Sequence, residues 1–388
     1  MSTVRTLRGR DPLTLETIEV EVVGTRVTAI RPYNGSVDDV WLTPGLVDLQ
    51  VNGYGGIDLN AAACDAVAVE RLTLLLASLG TTTYLPTVIT AAHTEMVSRL
   101  QTIAEARRNS AFVAHAVAGV HLEGPSISPI DGYRGAHPVE HVRPPSLAEF
   151  ELLQTAANGL IKLVTLSPHW PEAAEYIRAL RDRGVVVALG HTDASPKEIR
   201  VAVDAGAQLS THLGNGIAAE LPRHPNPIWT QLAEDRLTAT FIADGVHLPA
   251  DVLRVMLRAK GVERAVLVSD SVALAGRAPG FYRSPIGGDV AVVADGSIRM
   301  RDTGLLAGTG IALKDAVARA AGLPGGSLRD AVRMATANPA SFLNERYGRL
   351  AVGSSADLLL FRWSAEDHTL HLVEVLVEGC SMLALQNN

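Results

Sequence analysis

Four segments carry titratable side chains directly after apolar runs: His121-Leu122-Glu123-Gly124-Pro125, Gly190-His191-Thr192, Thr211-His212 and Ser269-Asp270. One carboxylate with two neutral imidazoles makes a hard-to-borderline donor set that suits Zn²⁺ or a similar divalent ion and leaves a coordination position for water. Glu123, His191 and His212 are therefore the candidate metal ligands, and Asp270 is the candidate acid and base. A single histidine after a strand is often only a hydrogen-bonded structural residue. Four such ends at one rim are hard to produce by packing alone, because charged groups there are costly to bury without a partner. His121 lies two residues before Glu123 and shares its side of the strand, where support of the carboxylate and simple packing both remain open.

The elements that must bring these residues together are visible in the hydrophobic pattern. Between residues 42 and 276, eight apolar, β-branched runs each end in Gly, His, Pro or Asp and are followed by a helix-like stretch. They span 42–53, 81–90, 113–125, 161–170, 185–192, 209–216, 238–247 and 265–276. Such runs alternating with helical patterns signal parallel strands buried on both faces. Eight βα units predict an α/β fold of the (β/α)8 TIM-barrel type, in which catalytic groups gather at the C-terminal ends of the strands. Residues 1–41 and 349–379 instead alternate apolar and polar, as in TIEVEVVGTRVTAI, and predict antiparallel strands. The expected organisation is a small β-sandwich domain from residues 1–43 and 348–388 beside a barrel spanning 44–347. An insert at 281–301 with an Asp295-Gly296 turn predicts a hairpin above the last barrel strand, and helices near 310–322 and 327–343 are expected to close the barrel.

Composition narrows the partners. A chain of 388 residues with 47% hydrophobic and 19% charged residues, and no polar tract, is expected to fold throughout. A net charge of -7 argues against a general nucleic-acid surface, so any anion site must be local. The N-terminal MSTVRTLRGRDPLTLE has no apolar run behind its arginines, and nowhere do about 18 uncharged apolar residues follow one another, so neither secretion nor a membrane span is expected. The two cysteines, Cys64 and Cys380, lack metal-binding spacing and cannot build a disulfide framework; a reducing cytoplasm is the expected location.

The segments TPGLVDLQVNGYGG, GTTTYLPTVIT, GVHLEGP, STHLGN, FIADGVHL, LVSDSVALAG, LLAGTG and GRLAVGSSADLLLF resemble the amidohydrolase superfamily over nearly the whole chain. GVHLEGP, IADGVH and Gln50-Val51-Asn52 together resemble its N-acetylglucosamine-6-phosphate deacetylase branch. Many superfamily members carry His-x-His where this chain has Gln50 and Asn52, and neutral amides are poor ligands for Zn²⁺. Lys162 lies near the start of the fourth barrel run, not its end, so the lysine bridge of binuclear relatives is absent. One divalent ion per subunit, zinc, is expected.

The resemblance implies hydrolysis of the N-acetyl amide of N-acetylglucosamine 6-phosphate to glucosamine 6-phosphate and acetate. It implies that Asp270 accepts a proton from water and protonates the departing amine, and that His137 of GAHP hydrogen-bonds the amide carbonyl. Asn215, Gly216, Ala307 and Gly308 are expected to line the pocket, with His247 and Arg223 on the phosphate. In the family that arginine comes from the neighbouring subunit, which implies a homodimer. The chain departs from the family pattern at Gly214-Asn215-Gly216-Ile217 and at Arg223-His224-Pro225-Asn226, on the walls facing the sugar and its 6-substituent. The same chemistry on an unphosphorylated or differently acylated amino sugar, or on another N-acyl compound, is thus an open alternative. A non-catalytic barrel that binds a partner is a remoter one, whose expected sign would be a broken metal set.

Overall fold

The computed structural model describes residues 4–383 except 285–287, 303, 305 and 345. Strands β1 (Val4–Arg10), β2 (Thr17–Val23) and β3 (Arg26–Pro32) form an antiparallel meander, and β4 (Trp41–Pro44) leads into the barrel. Strand β5 (Leu46–Val51) opens the barrel, and the short strands β6 (Gly53–Tyr54) and β7 (Ile57–Asp58) follow it as a small hairpin. Then come α1 (Ala66–Ser78), β8 (Thr81–Ile89), α2 (His93–Asn109), α3 (Ala111–Ala116), β9 (Val120–Glu123) and α4 (Leu147–Ala156). The second half runs β10 (Ile161–Leu166), α5 (Ala173–Asp182), β11 (Val186–Leu189), α6 (Pro196–Ala205), β12 (Leu209–Ser210) and α7 (Pro227–Ala233). Strand β13 (Thr238–Ile242), α8 (Ala250–Lys260) and β14 (Ala265–Val268) complete it.

The eight barrel strands lie in the order β14-β13-β12-β11-β10-β9-β8-β5. The ring meets where Val51 bridges Ser271, with Asn52 N donating to Ser271 O at 2.8 Å and Asp270 N to Gln50 O at 3.0 Å. Every residue of β8 is buried, as a strand covered on both faces requires. Pro86 stands inside β8 although proline cannot donate to a ladder, and the β5–β8 register shifts beside it, where the Thr87 hydroxyl accepts from Val51 N in place of a backbone carbonyl. Local chemistry starts the helices: Asp65 caps α1, Ser146 caps α4, Ser195 and Glu198 form a capping box ahead of Pro196 on α6, and Asn226 caps α7.

After β14 the insert forms a three-stranded antiparallel sheet of β15 (Gly280–Ser284), β16 (Gly288–Val292) and β17 (Ile298–Met300). Its Asp295-Gly296 turn is closed by Val293 N donating to Ser297 O, with Gly296 at φ 85. Helices α9 (Leu313–Gly322), α10 (Leu328–Met334) and α11 (Ala337–Ala340) follow. Strands β18 (Leu358–Ser364), β19 (Thr369–Val377) and β20 (Cys380–Ser381) then join the N-terminal strands in one sheet, β20-β19-β18-β4-β1-β2-β3. The expected sandwich takes the form of this single sheet turned back on itself: Arg26 bridges Ser355, and Val20, Val22, Val27, Leu42, Leu358 and Leu376 share one core.

Two expectations change. The run 113–125 contributes a strand only from Val120, because the Ser110 hydroxyl accepts from Val113 N and nucleates α3 over its first residues. The single helix expected over 327–343 is broken into α10 and α11 at Thr336, where φ is -132, shortly before Pro339, which has no amide hydrogen to extend a helix ladder.

Where the terminal sheet meets the barrel, His115 of α3 places Nε2 2.8 Å from Asp357 Oδ2 and Nδ1 3.5 Å from Glu378 Oε1. Burial works to lower the imidazole pKa, but Asp357 and then Glu378 outweigh it and raise it above the usual value. A histidine raised on folding contributes its stability in full below the unfolded value of about 6.5 and loses it as pH climbs through the folded value. His115→Gln should therefore lower stability by roughly 1 kcal/mol at pH 6 and by less at pH 8; melting curves at the two pH values that show equal losses would contradict the pairing.

Candidate metal centre and substrate cavity

Glu123 is the last residue of β9, while His191, His212 and Asp270 each stand two residues beyond the ends of β11, β12 and β14. The latter three adopt left-handed backbone, with φ of 48, 28 and 47 respectively, and Gly124 follows Glu123 at φ 85. A non-glycine residue held there costs roughly 1–3 kcal/mol and persists only where its surroundings over-determine it. They do so here: His212 N donates to Thr240 Oγ1 at 2.6 Å, Ser128 N to His191 O at 2.9 Å and Asp270 N to Gln50 O at 3.0 Å. The turn at each strand end brings these side chains together over the barrel mouth.

There, His212 Nε2 lies 3.1 Å and His191 Nε2 3.4 Å from Glu123 Oε1. One ligand atom from each of the three residues falls within 4.8 Å of the others. His191 Nδ1 donates to Tyr133 O at 2.9 Å, which fixes the ring with Nε2 turned toward the cluster. Burial alone would raise the Glu123 carboxyl, but hydrogen bonds and charge from His191 and His212 hold it well below the usual carboxylate range. A buried, ionised carboxylate with two converging imidazoles fits a divalent cation. Among the described residues it is the one such group of three donors.

The amides Gln50 of β5 and Asn52 just beyond it have an active role that their poor affinity for Zn²⁺ does not suggest. Gln50 Nε2 donates to Glu123 Oε1 at 2.8 Å, and Asn52 Nδ2 donates to Asp270 Oδ1 at 2.8 Å. Their spacing of two puts both side chains on the inner face of one strand, the only sequence signal for this role. Asp270 is pushed up to about 8, first by burial and then by the charges of Glu123 and Asp48, against the lowering pull of His212 and Asn52. Asp48, unremarked in the sequence pattern, is itself raised by burial to about 6 while Gln50 N and Ser269 N donate to its Oδ1.

His137 arrives from the loop after β9. Its Nδ1 is 2.9 Å from Thr90 Oγ1, its Nε2 3.8 Å from Glu123 Oε2, and its ring meets the edge of His191 at 4.5 Å. Burial, followed by His191, lowers it to about 3, so the imidazole is neutral. Arg134 ties the loop down by donating to His137 O at 2.6 Å. His121 instead turns to Thr165, 2.7 Å away, and Thr165 in turn to Thr211 at 2.6 Å, which makes it part of the barrel interior.

Above the cluster opens a cavity of about 680 Å³. Asn215, Gly216, His247, Ala307 and Gly308 all line it, together with His137, Asp270 and the three candidate ligands. Asp244 orients His247 by taking its Nδ1 at 2.6 Å and accepting from Val246 N and His247 N, an Asx turn concealed in the Asp-Gly-Val-His spacing. Arg223 does not reach the cavity of its own chain: it is exposed on the loop before Asn226. Arg299 and Met300 of β17 do line it, a placement that nothing in the hairpin sequence signals.

An amidohydrolase family model matches residues 41–380. The chain is 32% identical to an N-acetylglucosamine-6-phosphate deacetylase of Bacillus subtilis, covering 85% of this chain and 83% of that protein. It is 31% identical to an N-acetylgalactosamine-6-phosphate deacetylase of Escherichia coli O157:H7, with 96% and 98% covered. A solved structure of a mutant N-acetyl-D-glucosamine-6-phosphate deacetylase from Mycobacterium smegmatis, in complex with N-acetyl-D-glucosamine-6-phosphate, superposes with a TM-score of 0.87 at 29% identity, covering 98% of this chain and 99% of that one.

The bond from Asn52 lowers the Asp270 pKa, so Asn52→Leu should raise it further. The acid limb of the kcat/KM profile of the metal-loaded enzyme should then move to higher pH, with a loss on the order of tenfold at neutral pH. An unmoved limb would show that Asn52 does not act on Asp270.

Proposed function

Because the chain belongs to the amidohydrolase family, we propose that it hydrolyses the N-acetyl amide of N-acetylglucosamine 6-phosphate to acetate and glucosamine 6-phosphate. The observation that carries this is the placement of Asp270 beside the Glu123–His191–His212 cluster on the floor of one cavity. The remote alternative of a non-catalytic barrel calls for a broken donor set, and this one is complete.

Glu123, His191 and His212 would hold one divalent ion per subunit; two nitrogens and one oxygen favour zinc. Bound there, the ion supplies Lewis acidity that polarises an amide carbonyl and acidifies water. Asp270, as carboxylate, takes a proton from the attacking water as the oxygen–acyl carbon bond forms. It then delivers that proton to the nitrogen as the carbon–nitrogen bond breaks; the second water proton leaves with the acid and passes to the amine, so the products are acetate and the ammonium form of the amine. Asn52 holds Asp270 in position throughout. His137, whose ring is held by the pairing of Nδ1 with the Thr90 hydroxyl, would offer an Nε2 proton to the carbonyl oxygen, where negative charge develops.

The cavity walls bind the sugar: backbone around Asn215, Gly216, Ala307 and Gly308 surrounds it, and His247 faces the phosphate. Arg223 completes the phosphate contact from a neighbouring subunit, in keeping with its exposure outside its own cavity, and the active form is a homodimer. The barrel, residues 44–347, is the catalytic domain, and residues 1–43 with 348–388 form the supporting β domain. Two free cysteines suit a reducing cytoplasm, and among the described residues no helix is long and apolar enough to cross a membrane. N-acetylgalactosamine 6-phosphate is a second reading, favoured by the Escherichia coli relative that matches over almost its full length.

Rates on N-acetylglucosamine 6-phosphate, its galacto epimer and unphosphorylated N-acetylglucosamine decide among these substrates; equal kcat/KM with and without phosphate would sink the sugar-phosphate assignment. Asp270→Asn should lower kcat by about a hundredfold to ten-thousandfold with metal content unchanged. Near-normal turnover in that variant would remove Asp270 from the proton path.

A further inference from the structure

Permanent positive charge is scarce in the cavity. Among its described lining residues, four are histidines and three are carboxylates, and Arg299 supplies the one guanidinium. In a chain of net charge -7, an anionic substituent needs such a local cation. Arg299 is half-buried on β17, where Nε donates to Ser297 Oγ and Nη1 to Gly304 O, each at 3.2 Å, and the exposed Asp295 lies near enough to feel its charge.

Its base is a strand held at several points. Arg299 bridges Leu306, and Ala307 N donates to Ile298 O at 2.9 Å, so the arginine sits across from the segment that brings Ala307 and Gly308 to the cavity. Buried Val290, Val292 and Ile298 pack on Val272, Leu274 and Ala307, which fixes the small sheet to the loop after β14. Gly308, at φ 97, leaves no room for a side chain there: a Cβ would fall 2.3 Å from Val272 Cγ1. In barrel order, Arg299 thus belongs to the loop after the eighth strand and His247 to the loop after the seventh. Those two loops are where TIM barrels frequently collect phosphate.

We propose that Arg299 is a phosphate-binding residue contributed by the chain's own hairpin sheet, pairing with the 6-phosphate of the substrate alongside His247. This rests on the sugar-phosphate assignment above and adds to it a cation that does not depend on a partner subunit. A guanidinium fork matches phosphate oxygens, and the bonds to Ser297 and Gly304 engage Nε and one Nη1 hydrogen, so Nη2 and the second Nη1 hydrogen are not used by them.

The test compares metal-loaded wild type, Arg299→Met and Arg299→Lys on N-acetylglucosamine 6-phosphate and on unphosphorylated N-acetylglucosamine. Arg299→Met should raise KM and lower kcat/KM for the phosphorylated sugar by roughly tenfold to a hundredfold, the effect of losing a hydrogen bond to a charged group. It should leave kcat/KM for the unphosphorylated sugar unchanged, and Arg299→Lys should restore part of the loss. Competitive inhibition by inorganic phosphate should weaken by a similar factor in Arg299→Met. Equal losses on both sugars would make Arg299 a support of the hairpin sheet, and no loss on the phosphorylated sugar would remove it from the site; either result overturns this inference while the sugar-phosphate assignment stands. A wild-type enzyme that does not prefer the phosphorylated sugar overturns that assignment instead, and the role of Arg299 with it.

Discussion

The mouth of this barrel is organised by one buried charge. Glu123 is 3% exposed, and an ionised carboxylate in that position is tolerable only if its neighbours replace the water it has lost. Gln50 donates to it, and His191 and His212 turn Nε2 toward it. The carboxylate and the two converging imidazoles form a donor set that a divalent ion fits. Taking away any one of these partners would leave the others facing an uncompensated carboxylate.

Bringing that donor set together sets the backbone. His191, His212 and Asp270 can point over the barrel only because the chain leaves each strand in left-handed conformation, strain that the barrel around them must carry. Closure of the ring carries part of it, since the Asp270 amide is held by Gln50 O, and Asn52, next on the same inner face, binds the Asp270 side chain. The β5 segment therefore closes the barrel and aligns both carboxylates, one through Gln50 and one through Asn52. Its register slip beside Pro86 accompanies this, with the Thr87 hydroxyl accepting from Val51 N where a backbone carbonyl otherwise would.

Reactivity and substrate choice are separated in the fold. The floor is made of strand ends, buried and cross-bonded, while the walls come from loops and the hairpin sheet, which differ more readily between relatives. Of the two segments expected to face the sugar and its 6-substituent, Gly214–Ile217 reaches the wall through Asn215, Gly216 and Ile217, whereas Arg223–Asn226 lies outside the cavity of its own chain. Asp244 and Arg134 show how such loops still gain rigidity, one by holding the His247 ring and the other by fastening the backbone of His137.

Much of this was legible in the residues themselves. Eight buried apolar runs alternating with helical patterns determine a parallel barrel, and titratable residues at the ends of those runs determine where Glu123, His191, His212 and Asp270 must meet. Short-range rules end there. That Ser110 would nucleate α3 inside an apparent strand depended on one hydroxyl accepting from Val113 N, which apolar periodicity does not register. The bond of Asn52 to Asp270 spans 218 positions and forms where the ring closes, and that of Gln50 to Glu123 spans 73 and reaches past β8 over the barrel mouth, so only the assembled barrel could create them. Likewise Arg299 enters the cavity and Arg223 stays outside its own because of where a sheet packs and how a loop turns. Periodicity sets which face a residue takes on its own element; which distant residue it faces is decided only when the elements close on one another.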